Sequence, residues 1–178
     1  VFQRLVALSK VRGFLSDLME QEMVLKDVMA LSKPPFIGSE KPWHQDNAYF
    51  NWLPLTALGK VWIALDDATV ENGCMHVLPE QHKRGPLRHQ HTIDCEIVPD
   101  RLDVSEAVPI ELKAEGALFF SALLLHQTPA NASSARRRAL QFQYRGATAY
   151  QVSPHEFGRF FAEADGSPAS CALAHENG

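Results

Sequence analysis

Hydrophobic and polar positions alternate along most of this chain in short runs separated by turn residues. The start differs. Over residues 1–23 the apolar positions fall at helical spacing, with Val11, Phe14, Leu15 and Leu18 on one face and Gly13 a weak point within it. From 23 to 31 the period becomes that of a strand, which Pro34-Pro35 stops. Further strands are expected over 43–50, over 60–69, whose nearly continuous apolar run reads as buried, and over 74–78. Between the last two, Glu71-Asn72-Gly73 is a hairpin signal, because Asn-Gly tolerates positive φ. Residues 79–104 are polar and basic, broken by a strand over 91–98, and the β series closes with 106–112, 117–121, 126–129 and 138–148. A short helix is expected over 154–164, then a small, polar tail over 165–178 that frays. Many short strands with turn signals predict a mainly β barrel or sandwich with flanking helices. No internal repeat or interdomain linker interrupts the pattern.

Composition sharpens this. At 178 residues, 46% hydrophobic and 21% charged, the chain has the make-up of an ordinary globular domain with a substantial core. A net charge of −4 argues against a general nucleic-acid binder. No apolar run approaches the ~18 residues of a membrane span, and no secretory signal is visible. Cys74, Cys95 and Cys171 are odd in number and widely spaced, so a reduced protein in the cytoplasm is expected.

The candidate chemistry begins at His44-Gln45-Asp46. A His and an Asp two apart on extended backbone share a face. With a second His they make two imidazoles and one carboxylate, a ligand set that leaves three positions open on a ferrous ion. His126, at the end of an apolar strand, can supply that second imidazole. Further on, the strand through Arg137 puts Arg137, Ala139, Gln141 and Gln143 on one face and Leu140, Phe142 and Tyr144 on the other. An inward Arg binds a carboxylate through two parallel hydrogen bonds, and the Thr128 hydroxyl could add a third. A 2-oxoacid that chelates the metal at one end would need such a cation at the other. Plainer accounts compete. The His-x-Asp pair could face water, His126 could be a core-edge histidine, and Arg138 could replace Arg137 if the register slips by one. His89-x-His91 mimics a metal pair, but it lies among Lys83, Arg84 and Arg88, where a solvated or substrate-facing role fits better. Gln141 and Gln143 could reach the cavity or pair with neighbours inside the barrel.

These residues, taken in order, resemble the phytanoyl-CoA dioxygenase family. The set runs from Lys33-Pro34-Pro35 through Trp43-His44-Gln45-Asp46, Val61-Trp62-Ile63-Ala64-Leu65-Asp66-Asp67, Glu71-Asn72-Gly73-Cys74 and Val77-Leu78-Pro79 to the Gly116 strand, His126, Asn131 and Arg137. The resemblance implies a double-stranded β-helix, the jelly-roll, cupin-like barrel, and an Fe(II)- and 2-oxoglutarate-dependent dioxygenase that uses O2. It implies His44, Asp46 and His126 as iron ligands. Arg137 and Thr128 would hold the far carboxylate of 2-oxoglutarate, and Met29 and Trp62 would line its pocket. The expected reaction is hydroxylation of a small organic or acyl-CoA-type substrate with release of succinate and CO2, since Asp46 stands where halogenating relatives carry a small residue. Two positions depart from the family pattern: Gly116-Ala117 where Gly-Asp is usual, and Glu80-Gln81-His82 where Gly-Ser-His is usual. Relatives carry further structure before the start of this segment, so residues 1–164 are expected to be one N-terminally incomplete oxygenase domain. Its expected partner is a small molecule, with neither nucleic acid nor membrane. The rival class is a cupin-like metal-binding protein that is non-catalytic or independent of 2-oxoglutarate.

Overall fold

The computed structural model describes residues 9–92 and 94–161. The predicted helical residues before 9, the end of the expected closing helix and the tail over 165–178 lie outside the described residues. In chain order the elements are helix α1 (Ser9–Leu18), then strands β1 (Met23–Lys33), β2 (Lys41–His44), β3 (Trp52–Leu53), β4 (Leu58–Ala64), β5 (Met75–Leu78), β6 (His89–His91), β7 (Cys95–Ile97), β8 (Val108–Ile110), β9 (Ala117–Ser121), β10 (Leu125–Thr128), β11 (Arg137–Gly146) and β12 (Tyr150–Gln151), and a last short helix α2 (Pro154–Gly158). Two four-stranded sheets form, in the orders β1-β11-β4-β9 and β2-β10-β5-β8. Their pairings are antiparallel throughout. Facing sheets with flanking helices are the jelly-roll arrangement of a double-stranded β-helix.

The period-2 pattern decides what each face of the first sheet does. The even positions Leu140, Phe142 and Tyr144 of β11 join Val61 of β4 and Leu15 of α1 in an outer apolar cluster. Helix α1 therefore covers the outer face, so β4 and β11 are buried on both sides. Helix and sheet approach closely at Gly59, where an added Cβ would lie 3.2 Å from Leu15 Cδ1. Trp62, Ala64, Phe120 and Ala139 point inward and meet Met75 and Val77 of the second sheet, forming the inter-sheet core.

The strand expected over 60–69 ends at Ala64, and three further elements differ. The strand expected over 43–50 ends at His44, and Asp46–Tyr49 is a 3-10 turn. Here Asn47 N–H donates to Ala122 O, and its side-chain amide donates to Leu55 O at 2.8 Å. Those bonds draw the backbone away from a ladder. The strand expected over 91–98 is a hairpin instead, β6 against β7. The Glu71-Asn72-Gly73 turn is present, with Asn72 Oδ1 accepting from Thr69 N at 2.9 Å and Gly73 at φ 81°. It does not join paired strands, however: β4 and β5 belong to different sheets, and the turn lies on the crossing between them. At Gly73 a Cβ would come within 2.4 Å of Pro129 O, so only glycine fits. The Glu80 departure also has a structural cost, because Glu80 sits at φ 64°, in the left-handed region that favours glycine. Cys74 is a free, buried thiol, and Cys171, the third cysteine of the reduced-chain expectation, lies outside the described residues. Among the described residues no helix is long and apolar enough to cross a membrane.

Candidate metal centre

The second sheet brings two histidines face to face. His44 at the end of β2 is the direct cross-strand partner of His126 on β10, and their ring centroids lie 4.2 Å apart. Gln45 keeps extended backbone, so Asp46 returns to the side of His44. The Gln45 side chain points into the protein and is fully used there. Its amide donates to Leu123 O at 2.8 Å and Gly85 O at 3.0 Å, and its Oε1 accepts from Leu87 N at 2.7 Å. These three bonds lock the middle residue and thereby aim its two neighbours. His44 Nε2 lies 3.4 Å from Asp46 Oδ1, and His126 Nε2 lies 3.6 Å from Asp46 Oδ2. Ligating atoms of the three residues all fall within 4.8 Å of one another, and all three residues are buried.

Both rings are set for a metal. Nδ1 of His44 donates to Pro42 O at 2.7 Å, and Nδ1 of His126 donates to Leu124 O at 2.9 Å. With the proton on Nδ1, each Nε2 presents a lone pair to the centre, the outer support that metal-binding histidines use. Burial, and then the neighbouring His44, lowers His126 to about 3, so it stays neutral. Burial alone would raise Asp46. The Lys60 ammonium above all, then His126 and His44, hold its carboxyl well below the usual range, so it stays ionised. Two imidazoles, each held from behind through Nδ1, and one ionised carboxylate fit a divalent cation.

The centre opens into a cavity of about 600 Å³. Its inner sheet wall is built in transverse rows. Asp27, Gln143 and Lys60 form one row across β1, β11 and β4, and Met29, Gln141 and Trp62 form the next. Arg137 and Lys33 face each other at the end of β1 and β11. The Arg137 guanidinium carbon stands 5.3 Å from the Trp62 ring centroid, and Thr128 lines the same hollow. Arg137 is 3% exposed, and no carboxylate forms an ion pair with it among the described residues. Its Nε has no hydrogen-bond partner. Burial lowers Arg137 to about 10, which leaves it charged at neutral pH. Lys33 Nζ donates to Pro129 O at 2.7 Å and to Thr128 O at 3.1 Å. Burial, then Arg137, brings Lys33 down to about 8. Two cations without a carboxylate ion-pair partner among the described residues give this end of the cavity a positive charge.

The phytanoyl-CoA dioxygenase family model matches residues 3–139, most of the chain. The chain belongs to the phytanoyl-CoA dioxygenase family. The phytanoyl-CoA dioxygenase of Arabidopsis thaliana is 36% identical over 135 residues, 74% of this chain and 47% of that protein. Phytanoyl-CoA dioxygenase 1 of Oryza sativa subsp. japonica is 32% identical over 144 residues, 79% of this chain and 51% of that protein. This family member thus spans about half the length of the curated relatives it matches. The solved structure of EvdO2 from Micromonospora carbonacea var. aurantiaca, complexed with 2-oxoglutarate, superposes with a TM-score of 0.74 at 29% identity. That match covers 91% of this chain and 69% of EvdO2.

Within that family frame, the structure brings His44, Asp46 and His126 together and lines one cavity with Arg137, Thr128, Trp62 and Met29. It separates the competing candidates. Arg138 is exposed and grips Asp66 through Nε at 2.9 Å and Nη2 at 2.8 Å, so Arg137 is the inward guanidinium. His89 is a scaffold residue. Its Nε2 accepts from Gln45 N at 2.9 Å and its Nδ1 donates to Leu87 O at 2.8 Å, while His91 is exposed. Burial lowers His89 to about 4, in keeping with a neutral ring. In the basic loop Lys83 pairs with Glu80 and Arg84 with Gln81 at the surface, away from the cavity. Gln141 and Gln143 both reach the hollow. Sequence reasoning missed Lys33 and Lys60 as cavity residues. For Lys60 a signal existed: it is the sole charged residue of the apolar run Leu58–Ala64 and shares the parity of Trp62.

Proposed function

We propose that this chain carries the catalytic core of an Fe(II)- and 2-oxoglutarate-dependent oxygenase that hydroxylates a small organic or acyl-CoA-type substrate. One observation carries this reading: a buried His-Asp-His ligand set and an uncompensated guanidinium share a single hollow. A dicarboxylate 2-oxoacid needs that pairing, one end for the metal and one for a fixed cation. Family membership supports it, and so does the likeness to EvdO2, which was solved with 2-oxoglutarate.

In this reading His44, Asp46 and His126 hold the iron, through Nε2, a carboxylate oxygen and Nε2. When bound, iron and cosubstrate supply the chemistry: O2, 2-oxoglutarate and a C–H bond give succinate, CO2 and an alcohol. The chain's own residues bind, orient and shield. Arg137, with Thr128 beside it, takes the far carboxylate, and Lys33 adds positive potential. Trp62 carries the guanidinium on its face, and Met29 and Trp62 wall the cosubstrate's side. No side chain needs to act as a general base. The remaining hollow, bordered by Tyr49, Phe50, Asp27, Gln143 and Lys41, receives the substrate.

The test is anaerobic calorimetric titration with Mn(II), then with 2-oxoglutarate, followed by a screen for substrate-stimulated succinate release. Binding of both, with the second depending on the first, is expected. Metal binding without 2-oxoglutarate binding would leave only the cupin-like reading, and no metal binding would end both.

A further inference from the structure

Lys60 lies beside the proposed iron ligands but is not one of them. This lysine is 1% exposed, on the buried strand β4. A buried ammonium is costly unless it has a partner. Its Nζ lies 2.8 Å from Asp46 Oδ2. The pair is an ion pair rather than an aligned hydrogen bond, for neither atom has a partner of hydrogen-bond geometry. The other oxygen, Oδ1, is the one nearer to His44. The rest of the Lys60 surroundings hold it in place. Gln143 is its cross-strand partner, Phe120 sits opposite on β9, and the Phe50 ring centroid is 4.9 Å from Nζ.

We propose that Lys60 is a positioning residue that occupies the second carboxylate oxygen of Asp46, so that Asp46 offers a metal one oxygen and not two. The inference rests on the oxygenase reading above. Its consequence is a count of places. Two histidines and one carboxylate oxygen leave three positions open. A chelating 2-oxoacid takes two and leaves one. If Asp46 chelated through both oxygens, that last position would be lost. The same ammonium also neutralises the buried carboxylate before any metal arrives. Lys60 therefore competes with the metal for Asp46, and its presence weakens metal binding while keeping the site open.

The test uses the full chain with Mn(II), Co(II) and 2-oxoglutarate as probes. Lys60→Met removes the charge at similar volume. Mn(II) should bind at least roughly tenfold more tightly to this variant, since a unit charge near the carboxylate no longer competes. The visible spectrum of bound Co(II) should change with the altered ligand number. Lys60→Arg, which keeps a cation, should restore Mn(II) affinity and the Co(II) spectrum towards wild type. A lysine serving only the fold would give the opposite sign, a weaker metal site in Lys60→Met. If Lys60→Met does not fold, Lys60→Gln reads the same shift. Mn(II) affinity in the uncharged variant equal to or weaker than wild type overturns the proposal. Failure of the wild-type chain to bind Mn(II) and 2-oxoglutarate would instead overturn the oxygenase reading, so the two failures are separable.

Discussion

Replacing Arg137 by Met should stabilise the metal-free protein and cripple cosubstrate binding at once. The guanidinium is buried, charged at neutral pH and without a carboxylate partner, with Lys33 as a second cation nearby. An uncompensated buried charge costs several kcal/mol, of which stacking on Trp62 returns about 2 kcal/mol. Met fills a similar volume at no electrostatic cost. A net gain of about 1 kcal/mol, or roughly 2–4 °C in melting temperature, is expected for the metal-free chain. Binding moves the other way. Two hydrogen bonds to a charged group contribute about 1.5–3 kcal/mol each. Lys33 and Thr128 retain part of the attraction, so a loss of about 3–4 kcal/mol is reasonable, a hundredfold to several hundredfold in affinity. Scanning fluorimetry of the metal-free protein reads the first effect, and calorimetry of the Mn(II)-loaded protein with 2-oxoglutarate reads the second. A variant that melts lower and binds 2-oxoglutarate within threefold of wild type would refute the assignment, because Arg137 would then be a structural residue.

Three further outcomes follow from the site and its scaffold. His44→Ala should abolish Mn(II) binding and substrate-stimulated succinate release while the chain stays folded; retained metal affinity would remove His44 from the ligand set. Acidification should weaken the metal-free fold through His89, whose value falls from an ordinary 6.5 to about 4. Above pH 6.5 the ring is neutral in both states; between 6.5 and 4 only the unfolded chain takes the proton, so stability falls as pH drops, by about 2 kcal/mol at pH 5. Urea unfolding of wild type and His89→Gln at pH 7 and pH 5 isolates this term, and equal acid sensitivity would exclude it. Glu80→Gly should raise the unfolding free energy by about 1 kcal/mol, because glycine takes the φ of 64° without strain. An unchanged or lower urea midpoint would show that the strain is relieved elsewhere.

How much of this fold and site is legible in the amino-acid sequence depends on the range of each signal. Alternation is enough for β11, because one face meets α1 and the other the cavity. That contrast makes the inward set Arg137, Ala139, Gln141 and Gln143 readable from residue order alone. It also favours Arg137 over Arg138, whose outward side chain is taken by the half-buried Asp66 just past the end of β4. The pairing of His44 with Asp46 is legible for a local reason, the extended Gln45. The strand around it is not, because the turn at Asp46–Tyr49 is made by Asn47 bonding to Ala122 and Leu55, contacts that no local pattern encodes. The Asn72-Gly73 turn shows the same limit. Its chemistry fixes a reversal but does not say whether the next strand pairs beside the last or crosses to the opposite sheet.

The two lysines are the instructive omissions. Lys33 lies beside Pro34-Pro35 at the end of β1, where a cation normally reads as solvated; the carbonyls of Ser39, Thr128 and Pro129 turn it inward. Lys60 sits in an apolar strand where its charge is a liability, and the partner that offsets it, Asp46, arrives from the other sheet. A buried charge in a core strand is thus a prompt to ask which opposite charge the fold must deliver. Here the answer is the carboxylate of the ligand set itself. On the oxygenase reading, the strand that lines the cavity through Trp62 also bears on the ligand set through Lys60, two residues away on the same face. The ligand set carried by β2, the turn after it and β10 thus meets a charge delivered by the opposite sheet.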